Sequence, residues 1–225
     1  MAETPRFLLY AYWRTSAAYR VRVALALKGL AWEERFVDID KGENRSPEFL
    51  RLNPLGGVPA FFDREGDQPD GVLTQSLAIL DYLEDVAPTP PLLPPDAFGR
   101  ARVRSIAAMV AADSHPFVTP RVRKYLTGPG GFDDAAWRAW QVHWFTTGLQ
   151  AIEARLAGET DTGRFCHGDG VTIADVCLAS LIAVMRIFKI AVPDLPTVTG
   201  IMARCEAMEA FARAEARRQA GAPAA

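Results

Sequence analysis

Two hydroxyls, Thr15 and Ser16, stand at the end of the apolar run "FLLYAYW" and directly before an amphipathic stretch, "AAYRVRVALALKG". If the first is a strand and the second a helix, the helix opens with backbone N–H groups that lack partners, beside two O–H donors. Such an end attracts a phosphate, a carboxylate or a thiolate, because free donors and the helix dipole both favour negative charge. Gln75 and Ser76 repeat the arrangement in "TQSLAILDYLEDV", where their side chains and the Ser76 N–H make a second anion cradle. In "GGVPAFFD", Pro59 offers no N–H to a sheet ladder and so marks a ladder's end. It does so either as an ordinary trans residue or through a cis Val58–Pro59 bond. The cis form turns the N–H and C=O of Val58 outward, ready to pair with the backbone of a bound peptide.

The elements that must position these groups follow from periodicity and turn chemistry. A helix is expected from about Ala17 to Lys28, with Val21, Ala24, Leu25 and Leu27 at helical spacing, Arg20, Arg22 and Lys28 interleaved, and Gly29 suited to a left-handed cap. "WEERFVDID" reads as a second strand, and "SPEFLRLNP" as a short helix capped by Ser46, begun at Pro47 and stopped by Asn53 and Pro54. "GGVPAFFD" and "DGVL" supply two further strands, and "QSLAILDYLEDV" a helix burying Leu77, Ile79, Leu80 and Leu83. This strand-and-helix region occupies residues 1–86. The proline-rich "APTPPLLPPD" makes 87–96 an extended linker, and 97–225 reads as an all-helical domain whose last helix frays after Gln219. Inside it, "GDGVTIADVCLA" holds a capping box, Thr172 with Asp175, and a staple of Val171 with Val176.

Composition removes several function classes. The chain has 225 residues, 49% of them apolar, enough for a sizeable core in one large domain or two small ones. Its 25 Lys and Arg nearly balance 27 Asp and Glu, so no basic surface is expected to hold nucleic acid. Neither a signal peptide nor a membrane-length apolar run is evident, and a soluble cytoplasmic protein without a membrane partner is expected. Cys166, Cys177 and Cys205 are odd in number and scattered, which suits reduced structural thiols better than disulfides or zinc. His115, His143 and His167 are scattered too, and no metal is expected.

The segments "YWRTSAAYRVRVALALKGL", "LNPLGGVPAF", "TQSLAILDYLED" and "PTPPLLPPD", in that order, resemble the cytosolic glutathione transferases, the zeta class most closely. The resemblance runs along essentially the whole chain. It implies a thioredoxin-like N-terminal domain followed by an all-helical C-terminal domain, usually as a homodimer, with glutathione as the cofactor. Glutathione would be bound by Thr15, Ser16, Val58, Pro59, Gln75 and Ser76. His115, in the "DSHPFVTPRV" stretch, either reaches the same ligand or caps a kink before Pro116. In register, Thr15 falls where the class has its catalytic serine, Ser16 on the next serine and Ala17 on a cysteine. Thr15 is therefore the first candidate to hold the glutathione thiolate and Ser16 the second.

The class is best known for maleylacetoacetate isomerase, with maleylpyruvate isomerase as a near relative. Their dianionic substrates require cations, for which Arg14, Arg121 and Arg186 are the candidates. The second substrate's pocket is expected between the domains, lined by Met109, Phe117 and Ile187. Relatives often carry arginine directly before a phenylalanine where this chain has Ile187. That departure places general transfer of glutathione to a small electrophile first and the isomerase second. A non-catalytic glutathione-binding scaffold is a third reading.

Overall fold

The computed structural model describes residues 4–223. They form two compact units, one running to Leu92 and resuming at Ala207, the other spanning Leu93–Glu206. The first unit contains β1 (Phe7–Ala11), α1 (Ser16–Leu27), β2 (Trp32–Phe36), α2 (Pro47–Leu52), β3 (Ala60–Asp63), β4 (Leu73–Thr74) and α3 (Ser76–Val86). A parallel pair needs a crossover, and α1 carries it from β1 to β2; β3 and β4 then add antiparallel, giving the order β2-β1-β3-β4. This small mixed sheet with its helices is thioredoxin-like, as the resemblance implies.

The register decides where function can sit. Tyr10 of β1 lies opposite Ala60 of β3, and Ala60 opposite Thr74 of β4. The chain therefore leaves β1, enters β3 and leaves β4 at one end of the sheet, and the loops bearing Thr15, Pro59 and Gln75 spring from that end. Strand limits are shorter than the sequence suggests. β3 starts at Ala60 rather than Gly56, because Pro59 has no N–H to donate and Gly56 is bent at φ +61°.

On α1 the interleaved cations are buried with the apolar positions: Arg20, Arg22 and Lys28 are 2%, 1% and 6% exposed, while the apolar Leu27 is only partly covered. Arg22 makes a two-pronged pair with Glu34 of β2, Nε to Oε2 at 2.9 Å and Nη2 to Oε1 at 2.7 Å. Lys28 Nζ pairs with Glu84 at 2.6 Å and donates to the carbonyls of Ala87 and Pro90 at 2.6 and 3.0 Å. Glu84 also accepts the Leu92 N–H at 2.9 Å. The first half of the proline-rich segment is thus tied to the first unit, which ends at Leu92 rather than Val86. The C-terminal segment differs from expectation too. The short helix α9 (Glu209–Ala214), which follows the second unit's helices in sequence, packs on α1, and the Arg213 guanidinium lies 5.7 Å from the Trp32 ring centre. Buried Phe211 and Ala214 explain why this tail joins the first unit rather than extending the helical one.

The second unit is helical: α4 (Ala97–Ala111), α5 (Pro120–Thr127), α6 (Asp134–Gly158), α7 (Ile173–Ile187) and α8 (Pro196–Glu206). α7 is apolar on nearly all sides and packs against α4 and α8 as the unit's centre. Its start is held as the sequence predicts. Asp175 accepts the Thr172 N–H at 2.8 Å, the Thr172 hydroxyl at 2.7 Å and, beyond the expected box, the Cys166 N–H at 2.8 Å. The three cysteines are buried thiols in no disulfide, and burial pushes those of Cys166 and Cys205 up, away from thiolate chemistry.

Candidate active site

Thr15 is the extended residue that caps α1, yet its side chain does not bond to the first turn. Its hydroxyl donates backward to the Tyr12 carbonyl at 3.1 Å. The N–H groups opening α1 are consequently left without a side-chain cap at the end of β1. Tyr12's carbonyl also receives the Thr15 N–H at 3.3 Å and Arg22 Nη2 at 3.3 Å, and Arg22 Nη1 reaches the Trp13 carbonyl at 3.3 Å. A buried, paired guanidinium thus holds the loop before the hydroxyls in place. Ser16 points inward: it is 2% exposed, and its hydroxyl finds no hydrogen-bond partner among the described residues.

Arg14, expected to meet an anionic substrate, is paired with Asp40, Nη2 to Oδ1 at 2.8 Å and to Oδ2 at 3.0 Å, and stacks over Tyr12 and Trp13. The Tyr12 phenol donates to the same carboxylate. Burial, and after it this bond to Asp40, push the phenol up to about 12, so Tyr12 keeps its proton.

At the second loop the Val58–Pro59 bond is cis, one of the two forms the sequence allows. Two asparagines shape the approach to it. Asn44 Nδ2 donates to the Gly56 carbonyl at 2.6 Å and Asn53 Nδ2 to the Gly57 carbonyl at 2.8 Å. Gly56 is required here, since its φ is +61° and an added Cβ would lie 2.7 Å from the Asn44 carbonyl oxygen. Val58 itself packs with Phe49 of α2, Val37 and Ala60. At the third loop Gln75 holds φ 70°, exposed and without a capping bond, and leaves the first turn of α3 open. Ser76 is buried, and its hydroxyl oxygen accepts Arg20 Nη1 at 3.1 Å. Thr15, Ser16, Val58, Pro59, Gln75 and Ser76 are thereby gathered at one end of one sheet.

The remaining expected residues belong to the second unit. His115 opens a turn of 3-10 helix, His115–Val118, directly before Pro116. Phe117 stacks on Trp144 with ring centres 4.1 Å apart, and its carbonyl accepts the Trp140 Nε1–H at 2.8 Å. Met109 sits on α4 beside Arg155 Nη1, 3.7 Å from its sulfur. Ile187 is the last residue of α7, half-buried. Arg186, one position earlier, is exposed and pairs with Glu206 of α8 at 2.7 Å. Arg121 is exposed on α5, with no ion pair or hydrogen bond among the described residues.

Sequence reasoning missed Arg20, Arg22, Asn44 and Asn53 as parts of this machinery. The arginines carry one signal, their spacing: Ser16 and Arg20 are four apart on α1 and so share a face, which places a charge behind the hydroxyl. Asn44 and Asn53 carry none, because an asparagine in a loop reads as turn chemistry until its acceptor is known. The assembled site offers two open helix starts, a strand-end backbone and hydroxyl donors, all suited to an extended peptide with an anionic end and a thiolate.

Residues 5–85 match the glutathione S-transferase N-terminal domain. The maleylpyruvate isomerase of Ralstonia sp is 40% identical over 206 residues, which are 92% of this chain and 95% of that one. The structure of maleylacetoacetate isomerase from Methylobacterium extorquens AM1 with bound malonate and GSH superposes with a TM-score of 0.91 at 49% identity, over 96% of this chain and all of that one. A holo maleylpyruvate isomerase described as a bacterial glutathione S-transferase of the zeta class gives 0.89 at 39% identity, over 96% and 100% of the two chains. With its open hydroxyl-bearing helix start, cis Val58–Pro59 loop and Gln75–Ser76 helix start on a thioredoxin-like sheet, this chain belongs to the zeta class of the glutathione S-transferases.

Proposed function

We propose that the protein is a glutathione-dependent cis–trans isomerase of a maleyl diketo acid, maleylacetoacetate or maleylpyruvate. This reverses the order reached from sequence, where the displaced arginine put general conjugation first; full-length identity of about two fifths with a maleylpyruvate isomerase outweighs one cation's position. The observation carrying the glutathione part is the meeting of three loops at the level of Tyr10, Ala60 and Thr74. The residues fit the ligand. Val58 is placed to pair with the cysteinyl backbone, while Gln75, Ser76 and the open first turn of α3 receive the γ-glutamyl carboxylate.

When bound, glutathione supplies a thiolate that adds reversibly to the cis double bond, so that the resulting single bond rotates before elimination restores the alkene as trans. The protein's part is electrostatic and positional. Thr15, half-exposed at the cap, donates its hydroxyl to the thiolate, and the uncapped N–H groups of α1 add their dipole. Enclosed Ser16 stands behind it as a supporting hydroxyl. Arg14, Arg121 and Arg186 are the cations for the substrate's carboxylates, with Arg14 and Arg186 exchanging Asp40 and Glu206 for them. Met109, Phe117 and Ile187 offer thioether, aromatic and aliphatic surface to its carbon skeleton. We further propose that it acts as a homodimer in the cytoplasm; among the described residues no helix is long and apolar enough to cross a membrane.

The test is turnover of maleylacetoacetate and maleylpyruvate by the purified protein, with and without glutathione, beside conjugation of chlorodinitrobenzene. Rapid isomerisation that requires glutathione is the expected result. Conjugation without isomerisation would restore the transferase reading, and neither activity would leave the scaffold.

A further inference from the structure

Arg20 lies one turn after Ser16 on α1, is 2% exposed, and directs Nη1 at the Ser76 hydroxyl oxygen, 3.1 Å away. A guanidinium can only donate, so this contact makes the Ser76 oxygen an acceptor and turns its own O–H away from Arg20. No described residue receives that O–H. Ser76 is also the first residue of α3, whose opening N–H groups have no side-chain cap because Gln75 stands at φ 70° without a capping bond. On α1, one turn before Arg20, the hydroxyl of Ser16 is likewise 2% exposed and is left without a partner among the described residues. A buried positive charge, an O–H turned away from it and open peptide donors thus come together at one helix start. Their common complement is a carboxylate.

We propose that Arg20 is the positioning residue of the anion subsite at the start of α3. It fixes the Ser76 hydroxyl as a donor and supplies the buried charge that selects the α-carboxylate of a γ-glutamyl group. The inference rests on the glutathione reading above, and it assigns the preference for γ-glutamyl thiols to a residue that does not touch the ligand. Polarisation of a hydroxyl by a charged donor strengthens the bond that hydroxyl makes onward, and burial keeps water from screening the charge.

The experiment is calorimetric binding of two ligands, glutathione and γ-aminobutyryl-cysteinyl-glycine, which lacks only the α-carboxylate, to the whole protein and to Arg20→Gln, Arg20→Lys and Ser76→Ala. The parent is expected to prefer glutathione. Arg20→Gln should weaken glutathione by roughly ten- to a hundredfold, the weight of one charge-assisted bond, and leave the analogue nearly unchanged. Arg20→Lys, which keeps the charge but not the fork, should recover part of the loss. If Arg20→Gln does not fold, Arg20→Lys and Ser76→Ala decide the matter by the same ratio of the two affinities. Equal weakening of both ligands, or none, would overturn the proposal and make Arg20 a structural residue. Failure of the parent to bind glutathione at all would instead overturn the glutathione reading beneath it.

Discussion

Thr15→Ala separates the two hydroxyls most sharply. Without ligand, the Thr15 hydroxyl donates to the Tyr12 carbonyl at 3.1 Å, and that oxygen also accepts the Thr15 N–H and Arg22 Nη2, each at 3.3 Å. Turning the hydroxyl to a thiolate therefore gives up one of three long bonds, at a cost of about 0.5–1 kcal/mol, while a bond to a charged acceptor contributes about 1.5–3 kcal/mol. The difference, about 1–2 kcal/mol, corresponds to roughly one pKa unit. The helix start adds about 0.3–1 kcal/mol and survives the substitution. From a free thiol near 8.5, the bound thiol is expected at about 7 in the parent and about 8 in Thr15→Ala. At pH 7 that lowers the thiolate fraction from about a half to about a tenth, a fivefold loss of rate that disappears above about pH 9. Ultraviolet titration of the thiolate at saturating glutathione reads the shift directly, and the pH–rate profile should move with it. Ser16→Ala should raise the titration less than Thr15→Ala does. Because its hydroxyl is buried without a partner, its removal should hold or raise stability, by up to about 1 kcal/mol. A larger titration shift in Ser16→Ala than in Thr15→Ala would refute this reasoning and move the thiolate to Ser16.

Asp40→Asn should release Arg14, and since an exposed ion pair contributes about 0.2–1 kcal/mol, KM for a dicarboxylate substrate should fall by at most about fivefold with KM for a neutral electrophile unmoved; equal changes in both would remove Arg14 from anion binding. Asp63 gives the acid limb of stability. Burial pushes its carboxyl up, but the bonds from Arg6, Tyr82 and the Glu65 N–H together outweigh that and hold it below the usual carboxylate range. A lowered folded value contributes stability that is complete above the unfolded value of about 3.9 and is lost as pH falls through the folded one. Asp63→Asn should accordingly be less stable at pH 7 and show a flatter decline in urea midpoint between about pH 5 and pH 2; parallel profiles for parent and variant would refute the assignment.

Much of the fold was legible because its signals are local. Ser46 caps α2 by accepting the Phe49 N–H at 3.2 Å, Asp175 closes the box at α7, and the alternation of strands and helices through residue 86 follows periodicity and proline placement. The hydroxyl pair and the Gln75–Ser76 pair were legible as helix starts for the same reason. The strand limits around Val58 were not, since they depend on which neighbour the backbone meets rather than on residue type.

What the sequence by itself determined is the set of parts: two helix starts with open donors, a proline ending a ladder between them, and hydroxyls in place of a charged base. Each is written in residues within one turn of one another, where capping and backbone geometry act. Only the tertiary structure decided what the charges do. Arg20 meets Ser76 across 56 residues, Lys28 meets Glu84 across the same separation, and Arg14 and Arg186 are engaged by Asp40 and Glu206. For Arg20 and Arg22 on α1, helical spacing records which residues share a side and not what covers that side. The sheet, strand order and docked C-terminal helix cover it, and the buried cations become supports of the site.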